Sequence, residues 1–76
     1  MRLYLGGYFA HFLSTRETWV EMELKEPARL SELIAGLGIP VGDVYLAVVN
    51  GELVELQEAL VSEQDEVRLY PAVDGG

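Results

Sequence analysis

The stretch VYLAVVNGELVEL, residues 44–56, constrains the fold more than any other part of the chain. Two runs rich in β-branched and aliphatic residues are joined by Asn50-Gly51, a pair that accepts the positive φ angles of a two-residue turn. The segment is therefore expected to form an antiparallel hairpin. Side chains alternate across a strand, so Leu46 and Val48 face one side while Tyr45, Ala47 and Val49 face the other. Both sides are largely apolar, as in a strand covered on both faces or used as a contact surface.

The rest of the chain supplies further strands and one helix. Between Thr18 and Lys25, Val20, Met22 and Leu24 alternate with Trp19, Glu21, Glu23 and Lys25, which reads as a strand with one wet face. Pro27 ends it. Leu30, Leu33, Ile34 and Leu37 then fall at i, i+3, i+4 and i+7, the apolar stripe of an amphipathic helix. Gly38 is placed to close that helix in the left-handed conformation, with Pro40 as a stop beyond it, whereas the capping candidate Ser31 lies inside the periodic pattern. After a one-turn segment around Gln57 to Val61, an acidic turn, SEQD, feeds EVRLY, in which Val67 and Leu69 share one face and Glu66, Arg68 and Tyr70 the other. The opening segment RLYLGGYFAHFL holds Gly6-Gly7, which suits either a hairpin or a bulge. A continuous strand bent near the glycines, turning back around Ser14 to Arg16, is the expectation. The order strand, strand, helix, strand, short strand, strand predicts an α+β fold, with the helix packed on one face of a mixed sheet of four to five strands.

Composition narrows what such a domain can do. A chain of 76 residues is one domain, and the 50% hydrophobic content marks it as folded rather than disordered. It has no cysteine, which excludes disulfides, thiolate nucleophiles and zinc–thiolate sites. Thirteen acidic residues against five basic ones give a net charge of −8, which repels phosphate backbones and anionic lipid. Neither nucleic acid nor a membrane is expected as a partner. No apolar run approaches a membrane span and no signal-peptide pattern opens the chain, so a cytoplasmic location is expected.

Catalytic motifs do not emerge. His11 is the sole histidine and has no nucleophile context beside it. Glu63, Asp65 and Glu66 lack the spacing of a calcium loop and read as a solvated turn, so no metal is expected. The glycines form neither a dinucleotide fingerprint nor a P-loop, so no bound cofactor is expected either. Trp19 reads as an interface anchor or, more simply, as a half-buried residue covering the sheet. Tyr70 presents the same choice, sharpened by Pro71 beside it.

The final residues, YPAVDGG, carry the functional expectation. Proline has no N–H for the sheet ladder, so residues 1–71 are expected to form the domain and 72–76 a flexible tail ending in Gly75-Gly76. A backbone without side chains can thread a narrow channel and place the carboxylate of Gly76 in a partner's active site. Adenylation by ATP would give that carboxylate a leaving group, and sulfide replacing the nucleotide would leave a thiocarboxylate. The protein is then a carrier of reactive sulfur and not an enzyme.

In order along the chain, YFA, LSELIAGLGIP, VVNGELV and DEVRLYPAVDGG resemble the ubiquitin-like β-grasp sulfur carriers, most closely the small subunit of molybdopterin synthase. The resemblance implies the β-grasp fold, adenylation of Gly76 by a ubiquitin-activating-like enzyme that uses ATP, and a large synthase subunit that passes the sulfur to a pterin precursor. It places partner contacts at Phe9, Leu53 and Tyr70, and along the exit at Pro71, Val73 and Asp74, with Gly75 in the channel. Thiamine-pathway carriers also end in Gly-Gly but typically lack the proline that Pro71 matches. The chain departs from the family's pattern at Gln64-Asp65, where Gly-Asp is usual, and at Asp74, where a small residue is common. A surface role for Phe9 further requires a bulge at Gly6-Gly7. Three rivals remain: a carrier for thiamine or thiolated tRNA, a protein modifier conjugated through Gly76, and an interaction module whose tail is incidental.

Overall fold

The computed structural model describes residues 1–72. The first strand, β1 (Arg2–Leu5), pairs antiparallel with β2 (Trp19–Glu21) and parallel with the last strand, β7 (Glu66–Pro71). On the other side β7 pairs antiparallel with β4 (Val44–Val49), which pairs in turn with β5 (Glu52–Val54). The order β2-β1-β7-β4-β5 makes a mixed five-stranded sheet with the two chain-terminal strands at its centre. A helix, α1 (Leu30–Gly36), lies against one face, and two short strands, β3 (Ala28–Arg29) and β6 (Leu60–Val61), form a separate ladder. This is the expected α+β, ubiquitin-like β-grasp.

Local chemistry explains where the elements stop. Asn50 and Gly51 have φ of 51° and 87°, and Val49 pairs with Glu52 across them, as a two-residue turn requires. At the end of α1, Gly38 takes φ 86°, its N–H donates to the Ala35 carbonyl, and the Ile39 N–H reaches back to the Ile34 carbonyl. These are the two bonds of a Schellman ending, and buried Ile39 and Ile34 supply its apolar contact. No side chain caps the start of α1; the Leu30 N–H donates instead to the Ala59 carbonyl.

The core lies between α1 and the inner face of the sheet. Leu3, Leu5, Val67, Leu69 and Ala47 project inward from three neighbouring strands to meet Leu30 and Ile34, with Ile39 and Val61 closing the sides. Leu33 and Leu37 pack against this cluster while only partly buried. Val20, Met22 and Leu24 also pack against it, as their alternation predicts, although pairing in β2 covers only its first three residues.

One expectation about the opening segment is corrected. The chain does not continue as a bulged strand through Gly6-Gly7: β1 ends at Leu5, Gly7 takes φ 55°, and residues Phe9–Phe12 form a 3-10 turn. That turn drives Phe9 into the core, where it is fully buried. Phe9 therefore cannot serve the partner-facing surface at which it was expected, and the aromatic rings exposed there are Tyr8 and Phe12. The predicted reversal at Ser14 to Arg16 is present, with Arg16 at φ 58°.

Candidate functional site, the open sheet face and the root of the C-terminal segment

Alternation fixes what the face opposite α1 displays. With Leu3, Leu5, Val67, Leu69 and Ala47 pointing inward, the same strands turn Arg2, Tyr4, Glu66, Arg68, Tyr70, Leu46 and Val48 outward. Register then places Leu53, Val48, Arg68, Tyr4 and Trp19 in one row across all five strands. Leu46 lies opposite Tyr70 in the next row.

The middle of this face is an interlocked group of rings and cations. Tyr4 packs against Trp19 at 5.1 Å and against Tyr70 at 5.9 Å between ring centroids. The Arg68 guanidinium stands 5.2 Å from the Trp19 ring and 5.8 Å from that of Tyr4, and Arg2 stands 4.4 Å over Trp19. Cations over aromatic faces at exposed sites contribute about 0.5–1 kcal/mol each. Arg68 also donates to Glu66 Oε1 at 3.3 Å, and Arg2 pairs with Glu66 at 3.4 Å. The Tyr70 hydroxyl first, and Glu66 after it, raise the Arg68 pKa. Two of the chain's five basic residues therefore sit on this face of an otherwise strongly acidic protein.

Beside the rings the surface becomes apolar. Leu53 is 68% exposed and Tyr45 70%, too wet for either to serve the core. With Leu46, Ala47, Val54 and Glu55 they line a shallow groove of about 280 Å³ along β4 and β5. Leu46, in that groove, faces Tyr70 across the β4–β7 ladder.

Tyr70 and Pro71, both half-buried, form the root from which the chain leaves the sheet. On one side Val44 pairs with Pro71, after a register shift between Val44 and Leu46. On the other side the Gly6 N–H donates to the Leu69 carbonyl at 2.8 Å, and the Tyr70 ring lies over Gly6 while the Pro71 ring lies against Gly7. Close by, Tyr8 donates its hydroxyl to Asp43 Oδ2 at 3.1 Å. Partial desolvation of its hydroxyl first, and then the bond to the Asp43 carboxylate and its charge, raise the Tyr8 pKa.

The opposite end of β7 is set by polar contacts. Asp65 accepts from the Ser62 N–H and from Asn50 Nδ2, and Asn50 Oδ1 accepts from the Glu66 N–H. Glu63 accepts from the Leu24 N–H at 2.6 Å. The carboxylates of the acidic turn thus tie the hairpin turn, and the segment that follows β2, to the start of β7.

Of the residues expected at a site, Leu53, Tyr70 and Pro71 lie on or beside the open face, and Phe9 does not. Val73, Asp74, Gly75 and Gly76 lie outside the described residues. Sequence reading missed Tyr4, Arg68 and Leu46 as members of this surface, and Gly6-Gly7 as the support of Tyr70 and Pro71. Period-two alternation marks the first three once β1, β4 and β7 are known to be neighbours; no local signal marks the glycines.

The family model described as the ThiS family matches residues 7–76, which includes the last two glycines. No curated protein matches the chain.

Proposed function

The chain belongs to the ThiS family of ubiquitin-like sulfur carriers, and from that premise we propose that it carries sulfur as a thiocarboxylate on Gly76 and serves as the small subunit of molybdopterin synthase. The observation that carries this reading is the path of β7. Held between β1 and β4, the central strand runs through Pro71 and leads the chain out beside an exposed surface of aromatic and apolar side chains. A partner docking on Tyr70, Leu53 and their neighbours would lie where the following residues emerge.

The chemistry follows from what a carboxylate lacks. Its oxygen is a poor leaving group, so an adenylating partner joins the Gly76 carboxylate to the α-phosphate of ATP and releases pyrophosphate. Sulfide delivered by a donor then attacks the carbonyl carbon and AMP departs, leaving the thiocarboxylate. This chain supplies no acid or base to either step. It supplies the carboxylate, the thin passage at Gly75, and the docking surface, with Pro71, Val73 and Asp74 along the entering segment. On this reading ATP belongs to the activating partner. In the synthase the large subunit receives the tail and transfers sulfur to a pterin precursor.

The test combines mass and transfer. Incubated with ATP, a sulfide source and an adenylating enzyme, the native chain should exchange one oxygen for sulfur at Gly76, as read by mass spectrometry, and lose it when the large synthase subunit and its pterin precursor are supplied. Deleting Gly76 should leave thermal unfolding unchanged and abolish the exchange, and Gly75→Val should nearly abolish it by steric exclusion. A chain that gains sulfur but delivers it only to a thiazole precursor or to tRNA would refute the assignment to molybdopterin synthase while keeping the carrier chemistry. A native chain found linked by isopeptide bonds to cellular lysines, and never sulfurated, would make it a modifier.

A further inference from the structure

Gly6 and Gly7 stand apart from the other described glycines. A Cβ on Gly36, Gly38, Gly42 or Gly51 would meet nothing within 4 Å. On Gly6 it would fall 2.8 Å from the Leu69 carbonyl oxygen and 2.9 Å from Cδ1 of Tyr70; on Gly7, 2.5 Å from Cγ and 3.0 Å from Cδ of Pro71. Contacts that short essentially never occur, so each glycine is required by what packs on it. The shortest of these contacts all come from the root of the C-terminal segment, with the Tyr4 ring next, 3.4 Å from a Cβ on Gly6. The pair at the start of the chain is matched to the last two residues of the last strand.

We infer that Gly6-Gly7 is a side-chain-free seat for Tyr70 and Pro71 that fixes the direction in which the chain leaves the sheet, making the two glycines positioning residues for delivery of Gly76. The inference rests on the carrier reading above. The seat is itself held firmly. Leu5 and Phe9, on either side of the pair, are fully buried, and the Gly6 carbonyl accepts from the Phe9 N–H at 3.1 Å. The Tyr8–Asp43 hydrogen bond joins the turn after Gly7 to the turn that precedes Val44, and Val44 pairs with Pro71 from the other side. Tyr70 and Pro71 thus have backbone on both flanks, Gly6-Gly7 on one side and the start of β4 on the other. A carrier must aim its terminal carboxylate at a reacting atom, and a misplacement of about 1 Å can cost on the order of a hundredfold in rate while leaving docking intact. Aim needs a rigid root more than it needs further contacts.

The contacts supply a relieving pair of substitutions. Gly7→Asn tolerates the positive φ yet brings a Cβ against the Pro71 ring. Adding Pro71→Ala removes Cγ and Cδ, the two atoms it would strike, and leaves the Pro71 Cβ at 4.0 Å. Gly6→Ala provides a second, independent obstruction, under Tyr70. In the free protein, N–H residual dipolar couplings at Ala72 report the exit direction and the ring-current shift of the Gly6 α-protons reports the Tyr70 ring. Both should change in Gly7→Asn and return in Gly7→Asn/Pro71→Ala. With the adenylating enzyme, turnover in ATP–pyrophosphate exchange should fall at least about tenfold in Gly7→Asn and Gly6→Ala, with KM changed less than about threefold, whereas Gly7→Asn added to a Pro71→Ala chain should lower turnover less than about threefold relative to Pro71→Ala alone. A displaced root with unchanged turnover would overturn the inference, as would a loss from Gly7→Asn that is equal in the native and Pro71→Ala backgrounds and tracks thermal stability. If Gly7→Asn does not fold, Gly6→Ala decides alone: changed couplings at Ala72 with a loss of turnover at near-constant KM support the inference, and changed couplings with native turnover overturn it. A native chain that is not adenylated overturns the carrier reading, and with it the role in delivery, whereas the couplings at Ala72 still show whether the seat sets the exit.

Discussion

The two faces of the sheet are built from the same strands and differ in what they do with them. Inward, Leu3, Leu5, Val67 and Leu69 are wholly removed from water and meet Leu30 and Ile34 of the helix; outward, Tyr4, Trp19, Arg68 and Tyr70 stay half-exposed and meet chiefly one another. Ser31 is the one buried polar residue among those described, so no buried side chain of the inner face titrates, whereas the outer face alternates rings with charges. Burying a large aliphatic side chain stabilises by about 1.5–3 kcal/mol, while a cation over an exposed ring contributes about 0.5–1. The inner face therefore accounts for the stability of the fold. That leaves the outer face free to be shaped by what binds it.

Truncation on the inner face should produce the largest effect. Ile34→Ala removes a fully buried side chain from the contact between α1 and the sheet and should cost about 2–5 kcal/mol, a large fraction of the 5–15 that small domains have. Leu33→Ala, one position away and only partly buried, should cost less. Urea unfolding of the two variants decides it, and equal losses would mean that the stripe on α1 is not graded as the burial indicates. Tyr70→Ala is the matching change outside. It gives up an aromatic pair with Tyr4 valued at about 0.5–1.5 kcal/mol, so it should destabilise less than Ile34→Ala. As an anchor at the root of the tail it should nevertheless weaken binding to the partner by about 2 kcal/mol or more, measurable by calorimetry. Affinity that does not change would reduce the outer rings to a cover for the sheet. Arg68→Ala should cost a comparable amount of stability, about 1–2 kcal/mol from two cation–ring contacts of about 0.5–1 each, but less affinity than Tyr70→Ala, and its effect on partner affinity should shrink in high salt.

How much of this was legible in the sequence depends on how far apart the interacting residues lie. The hairpin at Asn50-Gly51, the stripe on α1, its ending at Gly38 and the alternation of Val67 and Leu69 are local patterns, and the structure has them where the residues place them. The β3–β6 ladder pairs two residues with two, too short a run to alternate visibly. Phe9 and Gly6-Gly7 were misread because their surroundings come from the far end of the chain. Only when β7 lies beside β1 does Pro71 press on Gly7, and that contact favours a turn over a bulge. Asp65 is similar: its partners Ser62 and Asn50 meet through the placement of two turns, which a reading of spacing alone describes only as acidic.

The smallest effect tests whether acid sensitivity is confined to groups outside the buried core. Glu63 stands at the edge of that core, where its half-exposed carboxylate accepts the Leu24 N–H and lies 3.6 Å from the amine of Met1. The hydrogen bond from Leu24, and after it the charge of the amine, outweigh desolvation and lower its pKa below the ordinary 4.5. The folded protein thus holds this carboxylate ionised at pH values where the unfolded chain has begun to take up a proton. With the unfolded state binding more protons, stability rises with pH across that window. The contribution is therefore complete above 4.5 and is lost as pH falls through the lower, folded value. Glu63→Gln keeps an oxygen for the Leu24 N–H but cannot titrate. The difference in urea midpoint between the native chain and the variant should be constant above pH 4.5 and should narrow below it. Curves that stay parallel into the acid range would show that Glu63 does not sense pH, and the acid sensitivity would then have to come from carboxylates elsewhere on the surface, since no buried side chain among those described is ionisable.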